Sequence, residues 1–171
     1  MELSGQNNTA STKEASGSSR RATFFGTAYH KVSERNQVAI PRHLIKVIED
    51  AREGQLLLLR WNDEKCLRLY TQTELDGLIA KIHSRTDLTS EEKSNAVRNI
   101  AGNSEPIEPD KQGRFVLPPQ WVSALNLTGE VAFFGAHTRI EIWPSGLRRE
   151  MEHAEQTRNA ETAKKISDLM L

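Results

Sequence analysis

A short polar turn with an acid and an arginine at its two ends is the stretch of this sequence best suited to chemistry. It reads Asp-Lys-Gln-Gly-Arg over residues 110–114 and is followed by an apolar run that stops at two prolines. Gly113 permits a left-handed backbone, and Asp110 is placed to accept turn N–H groups or to pair with Arg114. An arginine held in one pose at a loop tip suits bidentate contact with guanine in a major groove, or contact with phosphate. The alternative is an ordinary surface hairpin, in which an exposed Asp–Arg pair contributes only about 0–1 kcal/mol.

An earlier stretch, VSERNQVAIP at residues 32–41, has the same rhythm without the acid, the glycine and the arginine. Ser33 remains a polar turn residue, and Asn36 tolerates the positive φ that a glycine would allow. Gln37 can bind adenine through two hydrogen bonds, whereas arginine prefers guanine. Two interpretations stay open: a changed DNA target with binding retained, or an eroded turn that no longer contacts bases. The cations around this turn form a basic cluster, which comprises Lys31, Arg35, Arg42 and His43.

The elements around the two turns repeat, in order, along the chain. Each turn leads into a short strand closed by a proline, then a short helix ended by a glycine, then a hairpin of two apolar strands. Pro41 and Pro118 lie 77 residues apart, and Gly54 and Gly129 lie 75 residues apart. An offset that nearly holds over three elements indicates an internal repeat, and a copy of about 45–50 residues is too small to bury a good core alone. We therefore expect the two copies to interlock in one domain.

The segments outside the repeats read as a polar tail and helices. Residues 1–22 contain few apolar groups and are predicted to be disordered, with Arg20 and Arg21 solvated rather than bound to phosphate. Between the copies, Thr89 with Glu92 gives the capping-box signal for one helix. Helical spacing predicts another before it, with an apolar set made of Leu75, Leu78, Ile79 and Ile82. The resulting division is a tail at 1–22, a first repeat at 23–72, a helical linker at 73–104, a second repeat at 105–144 and a C-terminal helix at 145–171.

The last segment is helical by composition and has a weak apolar stripe. Its apolar residues cluster at the far end, at Ile166, Leu169 and Met170, so we expect an exposed helix whose far end is available for docking. Near its start, Arg148 and Arg149 are predicted to lie on a solvated face, because neighbouring glutamates offset their charge.

Composition excludes several classes of function. The chain has 171 residues, 37% of them hydrophobic and 27% charged, with a formal net charge of zero. A neutral chain weakens a simple electrostatic case for DNA binding, although a local basic patch repeated in an oligomer can still act. No apolar run is long enough to span a membrane and the first residues lack the apolar core of a secretory signal, so we expect a cytoplasmic protein.

The usual reactive residues show no catalytic or metal-binding pattern. Cys66 is the only cysteine, lies in the apolar run KCLRLY, and is predicted to be a small core residue without a disulfide partner. The five histidines have no metal-site spacing. No nucleophile–base pattern or phosphate-binding loop is present, so we expect no enzyme, metal or cofactor.

Several stretches resemble the MraZ family of bacterial transcriptional regulators, and the resemblance covers residues 24–150. DKQGRFVLP at 110–118 resembles the family's D-x-x-G-R turn and following I/L-P, and VAFFGAHTRIEIW at 131–143 is similar to its closing hairpin. In the first repeat, FFG at 24–26 stands where the family shows Phe-Arg-Gly, and VSERNQVAIP stands where it shows L-D-x-K-G-R-V-x-I-P. Carried over without gaps, the family's Asp, Lys, Gly and Arg fall on Ser33, Arg35, Asn36 and Gln37, and the Phe-Arg-Gly arginine falls on Phe25.

The resemblance implies an α+β fold made of two tandem swapped-hairpin AbrB-like repeats, each a split β-α-β unit, related by a pseudo-twofold axis in one domain. It also implies a homo-oligomeric ring of eight or more subunits that binds double-stranded DNA through the D-x-x-x-R turns. The target would be promoter direct repeats upstream of the division and cell-wall gene cluster, so the protein would lie at the nucleoid and need no small-molecule substrate. The residues expected to bind DNA are Lys31, Arg35, Asn36, Gln37, Arg42, Asp110, Lys111 and Arg114.

Two other functions are compatible with the same residues. One is a structural or interaction ring that has lost its operator and binds a protein partner, for example through the C-terminal helix. The other is a short AbrB-like antitoxin that binds DNA and a toxin, against which the duplicated repeat argues, because antitoxins usually pair two separate chains. Salt dependence separates the first rival from a DNA-binding regulator, because phosphate contacts make affinity fall steeply as salt rises.

Overall fold

The computed structural model describes residues 21–167 and residue 169, and within that part of the chain the fold is α+β, as expected. Predictions for residues 1–20 and for Met170 lie outside the described residues. The strands are β1 (Thr27–Lys31), β2 (Gln37–Ala39), β3 (Leu56–Arg60), β4 (Leu67–Thr71), β5 (Ser104–Ile107), β6 (Arg114–Val116), β7 (Glu130–Gly135) and β8 (Ile140–Pro144). The helices are α1 (Arg42–Asp50), α2 (Gln72–Ser84), α3 (Ser90–Gly102), α4 (Pro119–Leu125) and α5 (Ser145–Ser167).

The two copies exchange strands. Six strands form one antiparallel sheet in the order β1-β7-β8-β4-β3-β5, so β1 pairs with the hairpin of the second copy and β5 pairs with the hairpin of the first. The two hairpins meet at the centre, where β4 pairs with β8. A separate two-stranded ribbon joins β2 to β6. Each copy therefore contributes strands to both the six-stranded sheet and the ribbon.

The main hydrophobic core draws on both copies. Its fully buried side chains are Phe24, Leu44, Leu58, Leu67 and Leu69 from the first copy and Leu117, Leu127, Phe133, Ile140 and Ile142 from the second. At about 1.5–3 kcal/mol for each buried apolar side chain, neither copy alone can supply the stabilisation that the joint core provides. A second cluster lies on the opposite face of the sheet, where Leu59 and Tyr70 pack with Leu75 of α2 and Ile100 of α3.

The linker forms the two helices that the sequence predicts. Thr89 accepts a hydrogen bond from the N–H of Glu92, and the Glu92 carboxylate accepts one from the N–H of Thr89, so the capping box is confirmed. In α2, Leu75 is buried, while Leu78, Ile79 and Ile82 pack against the second cluster partly buried. At the start of that helix, Arg21 pairs with the buried carboxylate of Glu74 at 2.5 Å, so Arg21 is not a freely solvated residue of the tail.

Both glycines that were expected to end the repeat helices lie beyond the helix ends. The first helix stops at Asp50 and is followed by Arg52 with φ 56°, so Gly54 lies in the loop. The second stops at Leu125, and Asn126 with φ 55° is its left-handed cap. Asparagine and arginine take these positions in place of glycine, which is why counting to the glycines overextends the helices.

Arg148 of α5 does not lie on a solvated face, contrary to the expectation from its mixed charges, whereas Arg149 is 53% exposed, as expected. Arg148 is buried, with its guanidinium 4.2 Å from the ring centre of Phe134 and 3.5 Å from the carboxylate of Glu152. Arg149 lies 4.1 Å above the ring of Tyr29 and donates to Glu130 at 2.8 Å. The contact of each arginine with an aromatic ring adds to the stabilisation from its ion pair. Together these contacts fix the start of α5 on β1 and β7.

The single cysteine gives a direct test of the packing. Cys66 is buried as expected, and burial raises the pKa of its thiol to about 12, with the carboxylates of Glu141 and Glu64 adding to the increase. We expect the native protein to react with an aromatic disulfide reagent at pH 8 far more slowly than the protein unfolded in denaturant, because only the thiolate attacks. Reaction of the native thiol as fast as that of free glutathione would contradict this packing.

Candidate nucleic-acid interface

In the second turn, both oxygens of the Asp110 carboxylate accept hydrogen bonds and hold Arg114 in place. The N–H of Gly113 donates to the carbonyl of Asp110 at 2.9 Å, and Asp110 N–H donates to the carbonyl of Arg114 at 3.0 Å. One Asp110 oxygen accepts from the N–H of Gln112 and of Arg114, both at 2.9 Å, and the other accepts from Arg114 Nε at 2.7 Å. The Arg114 side chain is 48% exposed, and its two terminal nitrogens have no hydrogen-bond partner among residues 21–167. The turn thus presents a fixed guanidinium edge to solvent.

The electrostatics of this turn follow from the same contacts. The N–H of Arg114 and then its guanidinium hold the pKa of Asp110 below its usual value of 3.8, so the carboxylate is ionised at neutral pH. An ionised carboxylate accepts through both oxygens, and it is the form that accepts all of these hydrogen bonds and keeps Arg114 in one pose.

The first turn repeats this backbone with a hydroxyl in place of the carboxylate. Ser33 N–H donates to the carbonyl of Gln37 and Asn36 N–H donates to the carbonyl of Ser33, both at 2.9 Å. Ser33 Oγ accepts from the N–H of Arg35 at 3.2 Å and of Gln37 at 3.0 Å. Asn36 adopts φ 59°, where Gly113 has φ 78°, as expected for a residue that tolerates a left-handed backbone. The first turn is therefore closed by the same backbone hydrogen bonds as the second. A hydroxyl has no second oxygen that could hold a side chain, so the Gln37 side chain is not bound to Ser33.

The β2–β6 ribbon places the two turns on one surface. Ile40 N–H donates to the carbonyl of Gly113 at 2.9 Å, and Leu117 N–H donates to the carbonyl of Asn36 at 2.8 Å. Val38 pairs with Phe115, and both are buried. The alternation of a strand therefore turns Gln37, Ala39, Arg114 and Val116 outward on the other face, which we call the ribbon face.

The remaining cations divide between the two turns. Lys31 ends β1 opposite Glu130, and Arg35 is exposed in the first turn. Arg42 begins α1 two residues after Ile40, whose N–H bonds Gly113, so Arg42 and its neighbour His43 lie towards the second turn. The basic cluster of Lys31, Arg35, Arg42 and His43 stays a prediction, and the direction of β2 brings the last two nearer to the second turn. Lys111 is exposed in the second turn, as its polar sequence predicts.

Sequence reasoning missed two residues of the ribbon face, Ala39 and Val116. Val116 is 55% exposed and lies directly opposite Gln37. The signal for Val116 was available in the alternation of RFVLP, where Phe115 and Leu117 are buried and the single residue between them points outward.

Other chemistry is not supported by the described part of the chain. No group of three or more histidine, cysteine, aspartate or glutamate side chains there could hold a metal ion. None of the described helices is both long and apolar enough to cross a membrane.

A duplicated α+β unit that displays two polar turns on a shared ribbon defines the structural class of this protein, and comparison with known proteins defines its family. A family model described as "MraZ protein, putative antitoxin-like" matches residues 100–166. A transcriptional regulator MraZ of Mesomycoplasma hyopneumoniae strain 7448 is 31% identical over 121 residues, covering 71% of this chain and 79% of that protein. Those of Bacteroides thetaiotaomicron and Paenarthrobacter aurescens are 26% identical over 120 residues and 27% identical over 139 residues, covering 70% and 81% of this chain and 77% and 93% of the relatives.

The chain belongs to the MraZ family. Because this is a family of transcriptional regulators, the prediction that the protein is not an enzyme is confirmed.

A titration of the Asp110 carboxyl tests how the second turn holds its arginine. Because the native pKa of Asp110 is lowered, ionisation stabilises the fold at neutral pH, and this contribution is lost as the pH falls from 3.8 through the lowered value. We expect Arg114→Ala to raise the pKa of Asp110 measured by carbon-detected NMR. The exposed pair Arg85–Asp87 is the matched control. The pKa of Asp87, about 2, is lowered by Arg85 and not by Arg114, so it should stay unchanged in Arg114→Ala. An unchanged pKa of Asp110 in Arg114→Ala would contradict the described contact.

Substitution of Gly113 tests the left-handed backbone. A Cβ at Gly113 would lie 3.0 Å from Ile45 Cγ1 and 3.2 Å from the carbonyl oxygen of Ile40. We expect Gly113→Ala to reduce the free energy of unfolding by about 1–2 kcal/mol from the positive φ alone, measured by urea denaturation. Gly146→Ala, at a helical site with open space around it, is the control and should not destabilise. Asn36→Gly should leave the stability unchanged or raise it, and a loss there would contradict the equivalence of the two turns.

Proposed function

We propose that this protein is a sequence-specific transcriptional regulator that binds double-stranded DNA through the ribbon face. The observation that supports it most is the shared hydrogen-bond frame of the two turns, which leaves Arg114 fixed by Asp110 and open to solvent. A two-stranded ribbon fits the major groove of B-DNA, where an arginine held in one orientation can bind guanine through two hydrogen bonds. The relatives named as transcriptional regulators support the same role.

The strand exchange supports a swapped-hairpin AbrB-like architecture for the two repeats. In this proposal the first repeat spans residues 23–72 and the second spans 105–144, with a helical linker at 73–104 and the C-terminal helix from 145. The pairings of β1 with β7 and of β5 with β3 support the pseudo-twofold relation that such repeats require.

Each residue of the interface has a distinct role. Arg114 contacts a base or phosphate, and Asp110 orients it through the contacts described above. Arg35 contacts a base or phosphate from the first turn, where Asn36 and Gln37 form the altered tip. Charge and exposure suit the others for the phosphate backbone, namely Lys31, Arg42 and Lys111.

A neutral chain can bind DNA well when several copies act together. Each subunit would add a few contacts, and linked subunits bind at high effective concentration. We therefore propose a closed homo-oligomer, a ring of eight or more subunits, on direct repeats spaced to match them. The proposed site lies upstream of the division and cell-wall gene cluster, which makes the protein cytoplasmic and associated with the nucleoid.

Fluorescence anisotropy tests this function with a duplex from upstream of the protein's own gene beside a shuffled duplex. We expect preferential binding that weakens steeply with salt, and Arg114→Ala should weaken binding to the specific duplex by roughly 5- to 150-fold. Arg85→Ala removes another exposed, aspartate-paired arginine, which lies away from the ribbon, and should leave binding unchanged. Lys111→Ala should weaken binding to both duplexes alike and reduce the salt slope by about one.

One observation favours a second function, binding of a protein partner. Ile166 and Leu169 are 45% and 85% exposed at the far end of α5, as expected for an apolar end that docks elsewhere. Two results together would replace the regulator by an interaction ring. The chain would bind both duplexes weakly and equally, and it would bind a protein partner with an affinity that does not depend on salt and is lost in Ile166→Ala.

A further inference from the structure

The two ends of the ribbon face carry different pairs of side chains. Gln37 lies opposite Val116, and Ala39 lies opposite Arg114. The cross-strand hydrogen bonds run between the neighbouring positions, from Ile40 to Gly113 and from Leu117 to Asn36. Both outward pairs are therefore non-hydrogen-bonded pairs, whose Cα atoms approach to about 4.5 Å and whose side chains lie closest together.

These pairs differ in chemistry as well as in position. At one end a fixed guanidinium stands beside the small methyl of Ala39, and at the other an amide stands beside the larger apolar side chain of Val116. The Gln37 amide has no hydrogen-bond partner in the described chain, and Val116 is 55% exposed. An amide next to an apolar group matches one base pair in the major groove, since adenine offers an acceptor and a donor there and its thymine partner offers a methyl group.

We propose that Val116 is a specificity-determining residue that contacts a thymine methyl while Gln37 binds the adenine of the same pair. Arg114 then reads guanine at the other end of the ribbon face, where Ala39 leaves room for the guanidinium. The two outward pairs are two residues apart along the strand, about 6.8 Å, which corresponds to about two base-pair steps of 3.4 Å. This inference rests on the proposed function and adds to it the base preference of the altered end.

A selection from a duplex library with a random core identifies the preferred site of the full chain. We expect an A·T pair and a G·C pair about two steps apart within the enriched sequence. Gln37→Ala and Val116→Ala should lose the A·T preference and keep the G·C preference, whereas Arg114→Ala should do the reverse. Arg85→Ala, which removes an exposed arginine away from the ribbon, is the matched control and should enrich the same sequence as the unaltered chain.

Replacement of thymine by deoxyuridine in the enriched duplex isolates the methyl contact. Removing that one methyl group should weaken binding of the unaltered chain by about fourfold for each contacted pair. The same replacement should cost Val116→Ala nothing, because alanine lacks the γ-methyl groups of valine. Val116→Thr, which keeps one γ-methyl group, should still respond. Unchanged melting temperatures of both variants would show that the fold is intact, as expected for a half-exposed site.

The outcomes separate this inference from the function on which it rests. An equal loss on deoxyuridine replacement in Val116→Ala and the unaltered chain overturns the role of Val116, even where Arg114→Ala confirms the G·C contact. That role is also overturned when no thymine in the enriched duplex is sensitive to loss of its methyl group. A library that yields no enriched sequence overturns the proposed function, and the base preference falls with it.

Discussion

The exchange of strands between the two copies is the constraint on which the rest of this structure depends. Hydrogen bonds from Ile40 to Gly113 and from Leu117 to Asn36 tie each turn to the strand of the other copy. The strands so joined are only three residues long, and a ribbon of that size is not stable alone in water. It persists because Val38 and Phe115 bury their side chains in the joint core beneath it. The surface positions of both turns are therefore set by a core that neither copy can form separately.

Within that frame, the structural and the chemical roles of the turn residues separate. Asp110 both closes its turn and holds Arg114, whereas Ser33 closes the equivalent turn and holds nothing beyond it. A hydroxyl is sufficient for the two backbone N–H groups, since each needs only one acceptor. The fold therefore tolerates the loss of the acid, and the change appears only in the freedom of the side chain at the tip. The intact backbone of the first turn argues against a general loss of structure there.

Local features of the fold could be predicted from the sequence, and long-range ones could not. The capping box of Thr89 and Glu92 and the apolar face of α2 both follow from spacing, because each depends on neighbours within a few residues. The burial of Arg148 depends on the ring of Phe134 in another element, so its sequence neighbours pointed to the wrong environment. Val116 is a different case. The alternation of buried and exposed residues predicts that it points outward, but its place beside Gln37 follows only from the pairing of β2 with β6.

The altered first turn also makes the two ends of the ribbon face chemically different, while the two turns keep the same backbone hydrogen bonds. A surface whose two ends are the same cannot distinguish one orientation from its reverse, but a surface with glutamine at one end and arginine at the other has a polarity. In the proposed ring, subunits arranged head-to-tail would all point the same way and would match target units repeated in one direction rather than inverted. Different tip residues on two turns with the same backbone hydrogen bonds thus suffice to give the ribbon face a direction.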